Sequence, residues 1–133
     1  PPPPPPPSTC PSVTCATGEP DVTVDQRNIT LNVRDNQNVD GDTIDIILNG
    51  ILEADDLVLT GSAQNVAVRL CCDLNDLTIR AVSCGPGQPN NPCTVELTIT
   101  PIPISGQVNC CFPIPEGDSH SLIIEVVKGV VRR

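Results

Sequence analysis

Hydrophobic and polar residues alternate along much of the chain after residue 20, which is the pattern of half-buried β-strands. The alternation is clearest in residues 29–34 and returns in residues 44–48. Asn49-Gly50 follows the second run and is the preferred dipeptide of a type I′ hairpin turn. The pattern therefore predicts two strands and a tight hairpin in this part of the chain.

The rest of the chain continues in short strands separated by Gly, Pro, Asn or Asp, and no window has the period of an amphipathic helix. This spacing is typical of an all-β sandwich, so we expect about seven to nine antiparallel strands. The further predicted strands are Val22–Val24, Ile51-Leu52, Leu57–Thr60, Asn65–Leu70, Leu74–Val82, Thr94–Thr100, Gln107–Phe112 and Ser121–Val127, the last continuing toward Val131.

The first 20 residues differ from the rest and are predicted to form an extended, proline-rich arm. Pro1–Pro7 cannot form a helix or pair within a sheet, because proline fixes φ and has no N–H group. They favour a polyproline II rod that rises about 3.1 Å per residue, or roughly 20 Å in all. We therefore divide the chain into the arm, residues 1–20, and one sandwich domain, residues 21–133.

Eight cysteines in 133 residues favour disulfides and an oxidising compartment. Zinc ligation is the alternative, but no C-x-x-C motif is present and the adjacent pairs are poorly spaced to chelate one ion. Cys84 and Cys93 flank a short loop and are expected to close it. One of Cys71/Cys72 is expected to meet one of Cys110/Cys111, while Cys10 and Cys15 are expected to pair locally or with another subunit.

Composition narrows the function classes further. Phe112 is the only aromatic residue, so the core must consist of Val, Ile and Leu with buried cystine. The net charge of −9 argues against nucleic acids and anionic membranes as partners. No apolar run is long enough for a transmembrane helix, and neither a signal peptide nor an initiator methionine is present. We interpret the sequence as a mature secreted chain that acts outside the cell or at its surface.

The stretch from Val33 to Gly50, VRDNQNVDGDTIDIILNG, resembles a family of bacterial extracellular Ig-like domains. The shared pattern is a strand, D-N-x-x-x-D-G-D, a second strand and L-N-G, and the similarity extends over most of residues 22–131. The cysteine pairs, the segment Ile102–Gly106 and the arm depart from it. The resemblance implies a secreted sandwich without enzymatic activity, here as the subunit of an extracellular fibre.

A fibre subunit of this kind is expected to assemble into a homopolymer by donating an extended terminal segment to the sheet of its neighbour. The expected donor lies within the arm, because its non-proline residues carry N–H groups: Ser12, Val13, Thr14, Ala16 and Thr17. The carboxy-terminal strand, Ser121–Val131, is the alternative donor. Another reading is an adhesin-like binding module on a proline-rich stalk, acting through loops such as Gly85–Pro92. A small disulfide-rich inhibitor or hydrolase-associated domain is a third.

Two groups of residues suggest ligands or modifications. Oxygen-bearing side chains surround Gly41 at spacings that suit calcium, although Asn, Asp and Gly also simply make turns: Asp35, Asn36, Asn38, Asp40 and Asp42. Asn28 begins the only N-x-[ST] sequon, and Ser8 and Thr9 follow the prolines as in glycosylated stalks, so glycans are candidate adducts. No other cofactor is expected.

The sequence does not favour catalysis. His120 is the only histidine, and no nucleophile or orienting carboxylate is marked beside it. Aromatic platforms that would hold a sugar ring are absent as well. The protein is therefore predicted not to be an enzyme.

Overall fold

The computed structural model describes residues 10, 12–35, 41–84, 92–106 and 112–127. The described residues form ten β-strands and no helix, so none of them belongs to a helix that is able to span a membrane. The strands are β1 (Val22–Val24), β2 (Asn28–Asp35), β3 (Thr43–Leu48), β4 (Ile51–Val58), β5 (Gln64–Arg69), β6 (Leu74–Ser83), β7 (Cys93–Thr100), β8 (Ser105–Gly106), β9 (Phe112–Ile114) and β10 (Ser119–Val126).

The strands form two sheets that pack against each other as a sandwich. The larger sheet has the order β4-β3-β6-β10-β1-β8, and the smaller has the order β5-β2-β7-β9. All pairings in the described part of the chain are antiparallel except that of β1 with β10, which is parallel and joins Val22 to Ile124 and Val24 to Val126. The first and last strands of the described fold therefore lie side by side.

Inward-facing aliphatic residues from both sheets form one core. In β2 the buried positions are Ile29, Leu31 and Val33, and in β3 they include Ile44, Ile46 and Leu48, as the alternation predicts. Phe112 is the only aromatic residue in the core. The buried cysteines Cys84 and Cys93 belong to the same cluster, so cystine does contribute to a core that is otherwise aliphatic.

The predicted hairpin is confirmed. Asn49 and Gly50 have φ values of 52° and 82°, which is the left-handed conformation that a type I′ turn requires at both central residues. Gly106 lies in β8, at the other edge of the larger sheet, and glycine is required there for a different reason. A Cβ atom there would lie 2.2 Å from the carbonyl oxygen of Asp21, so only glycine lets β8 approach β1 this closely.

Three predictions about the strands are corrected by the structure. Ile51-Leu52 and Leu57–Thr60 are not separate strands, because β4 runs continuously through two register shifts against β3. The described residues form ten strands, against an expected seven to nine, because the short strands β8 and β9 border the segment predicted as Gln107–Phe112. The last strand begins at Ser119 and ends at Val126, within the described residues. Residues 107–111 and 128–133 lie outside them.

Candidate functional site: the anchored arm

Two disulfides attach the arm to the sandwich of the same chain. Cys10 pairs with Cys71 at a Cα–Cα distance of 5.6 Å, and Cys15 pairs with Cys72 at 5.7 Å. Cys71 and Cys72 are neighbours in the short connection between β5 and β6. The base of the proline run is thus held at two consecutive residues of the domain.

In the described part of the arm, non-covalent contacts with the domain are sparse by comparison. Within residues 12–17, the main-chain bond to the domain runs from the N–H of Ala16 to the carbonyl of Leu74, at 3.1 Å. No strand forms there, and Ser12, Thr14 and Thr17 are exposed, while Val13 and Ala16 are partly buried. The described segment is therefore held mainly by its disulfides.

The chain joins the sheet at Asp21, after an exposed turn. The N–H of Asp21 donates to the carbonyl of Ile123 at 2.8 Å, and the N–H of Ile123 donates to Asp21 Oδ2 at 2.7 Å. Gly18 lies in this turn with φ of 119°, and Glu19 and Pro20 are exposed. From here the chain enters β1.

An open groove of about 430 Å³ lies between the arm and the outer surface of β6 and β10. Its volume is within the range of small-molecule sites, but no aromatic side chain lines it. The lining residues that matter are Cys15–Thr17 on the arm side, and Asp76 and Ser121–Ile123 on the sheet side. The groove is the space between the arm and the sheet that supports it.

A buried asparagine holds the anchor point in place, and sequence reasoning missed it. Asn75 is fully buried, and its Nδ2 donates to the carbonyls of Cys72 at 2.7 Å and Ile124 at 3.2 Å. Its Oδ1 accepts from the N–H of Cys72 at 3.0 Å and from Asn49 Nδ2 at 2.9 Å. One side chain thus connects the cystine-bearing turn, the last strand and the hairpin. The signal in the sequence is only an Asn at an inward position of a predicted strand.

The cysteine predictions have mixed outcomes. The Cys84–Cys93 disulfide is confirmed, with a sequence separation of 9. The expected link from Cys71 or Cys72 to Cys110 or Cys111 is wrong, because Cys71 and Cys72 form disulfides with the two cysteines of the arm. Cys10 and Cys15 do not pair with each other in this chain, and their pairing with another subunit stays a prediction. Cys110 and Cys111 lie outside the described residues.

The ends of the predicted calcium loop converge inside the sandwich. Asp35 and Asp42 are both buried, and both accept hydrogen bonds from Thr94: its hydroxyl donates to Asp35 Oδ1 at 2.9 Å and its N–H to Asp42 Oδ2 at 3.0 Å. These bonds tie the loop ends to β7. The other predicted ligands, Asn36, Asn38 and Asp40, lie outside the described residues.

A second acidic group surrounds the irregular part of β4. Asp45 is buried, and its carboxylate accepts the N–H of Asp56 at 2.8 Å and pairs with Arg80 at 2.5 Å. The bond from Asp56 and the Arg80 guanidinium lower the pKa of Asp45, while the nearby charge of Asp56 raises the pKa of exposed Asp55. The three carboxylates lie within 4.8 Å of one another. Asp56 has a φ of 51° and lies where β4 shifts register against β3, which is a β-bulge. The hydrogen bond from the Asp56 N–H to Asp45 stabilises this bulge.

The remaining predicted sites are scattered. Asn28 is exposed at the start of β2, where its side chain accepts from Arg69 at 3.3 Å. His120 stacks on Phe112 with ring centroids 4.2 Å apart, so its described contact is with the core residue beneath it. Ser8 and Thr9 lie outside the described residues, as does most of the loop Gly85–Pro92.

Comparison of the chain with protein-family models, with curated proteins and with solved structures finds no match. The structure itself establishes the class of fold: a disulfide-bonded, all-β, two-sheet sandwich. Three disulfides among the described residues fit an oxidising compartment.

Proposed function

We propose that the protein is a structural subunit of an extracellular or cell-surface filament, and that subunits join by exchanging their arms. In the single chain, Cys10 and Cys15 reach Cys71 and Cys72 of the same domain. In the filament, the arm of one subunit makes these two disulfides with the next subunit. The donated segment is the one expected from the sequence, but it is joined by cystine rather than by strand pairing.

The observation that carries this proposal is that two disulfides hold the arm on the domain. The same two bonds form whether the arm belongs to the same chain or to a neighbouring one. Between Ser12 and Thr17 the described arm offers the sheet one main-chain hydrogen bond. The closed and exchanged forms contain the same two S–S bonds, so no net oxidation separates them. Exchange of an identical element is a low-cost route to assembly, and a head-to-tail exchange that does not close gives a fibre.

The connection between the arm and β1 provides a suitable hinge. Thr17, Gly18, Glu19 and Pro20 are all exposed, and Asp21 resumes the sheet hydrogen bonds. Hinge residues in exchanged proteins are commonly a few positions that absorb a change in φ and ψ. The alternative donor is disfavoured, because residues 121–126 already lie between β6 and β1 in the larger sheet.

The topology supports an Ig-like classification as part of the proposal. The order β10-β6-β3-β4 matches the G-F-C-C′ order of variable-type Ig sheets, and β5 beside β2 matches the E–B pair. The strands β7, β8 and β9 have no counterpart in that scheme, since they fall between the equivalents of F and G. An Ig-like frame with this insertion is the fold that we propose.

Isotope mixing tests the exchange directly. Equal amounts of unlabelled and ¹⁵N-labelled chains are reduced, refolded together in a glutathione buffer and allowed to assemble. Peptides that retain disulfides are then analysed by mass spectrometry. Exchanged arms give about half of the Cys15–Cys72 peptide pairs as mixed light and heavy species. The Cys84–Cys93 pair is an internal control that stays unmixed, because its loop is local.

Purely unmixed Cys15–Cys72 pairs in assembled material would overturn arm exchange. Electron microscopy of the same samples provides the second readout: filaments in the full chain, and separate particles in a variant without residues 1–20. Separate particles in both would overturn the filament function itself.

The second candidate function is an adhesin-like module on a proline-rich stalk, favoured by the groove of about 430 Å³ beside the arm. Such a module stays monomeric and binds its ligand through the groove or the loops. A full-length protein that stays monomeric, and that keeps its fold when residues 1–20 are removed, would favour this module over the filament.

A further inference from the structure

The free edges of the two sheets are not equivalent, and one of them lacks the usual protection against pairing. Native proteins protect edge strands with short length, proline, charges or bulges. In the described structure β8 has two residues, β9 has three and includes Pro113, and β4 carries two register shifts and exposed acidic side chains. The fourth edge is β5, whose six residues pair with β2 in an uninterrupted register.

The sequence of β5 adds to this difference. QNVAVR contains no proline and one charge, on Arg69 at its end. The β4 edge instead carries Glu53, Asp55 and Asp56, so two copies of it would place like charges together. We propose that β5 is a self-association surface, at which the β5 strands of two copies pair antiparallel about a twofold axis.

The hydrogen-bond pattern fixes the register of this contact. The N–H of Leu70 donates to the carbonyl of Arg27, in the same register that pairs Asn28 with Arg69. Because hydrogen-bonded and non-bonded pairs alternate in antiparallel ladders, the main-chain groups of Asn65, Ala67 and Arg69 point away from β2. The twofold register that uses all three places Ala67 opposite the second copy's Ala67.

The side chains fit that register. Asn65, Ala67 and Arg69 lie on the outer face, so Asn65 of one copy lies opposite Arg69 of the other and no like charges meet. On the inner face, the partly buried Val66 lies opposite the second copy's Val68 and gains apolar cover. The small Ala67 side chain permits close approach at the axis.

The chain's own arm is a poor occupant of this edge. Pro1–Pro7 have no N–H groups and cannot complete a ladder. Cys71 Sγ lies 3.8 Å from the carbonyl of Arg69, so the Cys10–Cys71 disulfide marks the end of the edge. A second copy of β5 supplies both donors and acceptors over the remaining length.

This contact deepens the proposed filament, because arm exchange joins subunits head to tail while the β5 contact joins them side by side. The resulting assembly consists of two head-to-tail filaments that lie side by side. The inference rests on self-association of the chain, but its test is separate from that of arm exchange.

Sedimentation velocity of the full chain in its closed, disulfide-bonded form tests the contact, with interference detection because Phe112 is the only aromatic residue. We expect a concentration-dependent dimer for the native chain. Ala67→Pro removes the central N–H without touching a bond to β2, and Ala67→Lys opposes like charges across the axis. Each should raise the dimer dissociation constant by about tenfold or more.

Leu52→Pro is the matched control. Leu52 follows the hairpin residue Ile51, so its N–H points to the free side of β4, and its side chain is 48% exposed. This variant should dimerise like the native chain. ¹H–¹⁵N spectra verify that each variant is folded, and Ala67→Lys retains the test if Ala67→Pro does not fold.

A native chain that is monomeric to millimolar concentration would overturn the β5 contact, and so would an unchanged dimer in Ala67→Lys. If filaments still form and isotopes still mix in such a case, the proposed function stands without the lateral contact. A dimer without isotope mixing supports β5 and overturns arm exchange.

Discussion

Asn75 and Cys72 form a reciprocal pair of hydrogen bonds in which each residue both donates to the other and accepts from it, at 2.7 and 3.0 Å. These bonds hold the backbone of Cys72, whose sulfur bonds to Cys15 of the arm. A covalent anchor is only as rigid as the turn that bears it, and here a buried amide supplies that rigidity.

Asn75→Ala should lower the free energy of unfolding by about 2–4 kcal/mol, because it leaves buried main-chain groups of Cys72 and Ile124 without their partner. Chemical denaturation of the oxidised protein, followed by far-ultraviolet circular dichroism, measures this. Asn32→Ala is the control, since its exposed side-chain bonds to Asn65 and Thr100 should be worth less than about 1 kcal/mol. Equal costs for the two variants would contradict the special role of Asn75.

The two arm disulfides should not contribute independently to stability. With Cys15–Cys72 intact, Cys10–Cys71 closes only a small additional ring, so replacing either pair by alanine should cost about 2 kcal/mol. Replacing both pairs opens the long loop as well and should cost about 6 kcal/mol, more than the sum. Guanidinium denaturation of the three variants measures the coupling. A strictly additive result would contradict the loop-entropy coupling of the two disulfides.

Asp45 should govern part of the acid sensitivity. Its folded-state pKa is lowered, by the Asp56 N–H and then by Arg80, whereas the unfolded value is about 3.9. The stabilisation is therefore fully present above about pH 4 and is lost as pH falls through the lower, folded value. Asp45→Asn should reduce Tm at pH 7 and flatten the loss of Tm below about pH 4.

Asp73→Asn is the control for this pH profile, because Asp73 pairs with Arg27 through a carboxylate that is 85% exposed. Its profile should follow that of the native protein, since exposed ion pairs contribute little. An Asp45→Asn variant with the native acid limb would show that Asp45 does not hold the bulge.

A pair of aspartate variants separates a structural role of residues 35–42 from calcium binding. Asp42→Asn weakens the acceptor of the Thr94 N–H bond and should lower Tm equally in calcium and in a chelator. Asp40→Asn should have little effect in either buffer. Thermal unfolding in both buffers provides the measurement, and a calcium-dependent rise in Tm that both variants abolish would instead establish the loop as a metal site.

Much of the sandwich could be predicted because its strands alternate cleanly and its hairpin carries Asn49-Gly50. The Cys84–Cys93 disulfide was predictable too, since a separation of 9 residues confines both ends to one loop. The arm disulfides were not, because separations of 61 and 57 residues contain no information about distance in the fold.

Two other features of the fold were not predicted from the sequence, for related reasons. The sequence pattern predicts two separate strands, Ile51-Leu52 and Leu57–Thr60, yet a bulge held by Asp45 lets one strand run through both. The parallel pairing of β1 with β10 joins residues about a hundred positions apart, and strand patterns alone do not specify partners.

The position of the anchor also decides where mechanical tension would run. In the closed subunit, a pull on the prolines reaches Cys71 and Cys72 without passing through the three-residue strand β1. The chain leaves β10 at the same end, where the N–H of Val126 donates to the carbonyl of Asp73 at 2.9 Å. A stretched chain would thus be loaded across one end of the domain only, between the connection that bears Cys71 and Cys72 and the end of β10. The rest of the sandwich would lie outside the path of the force.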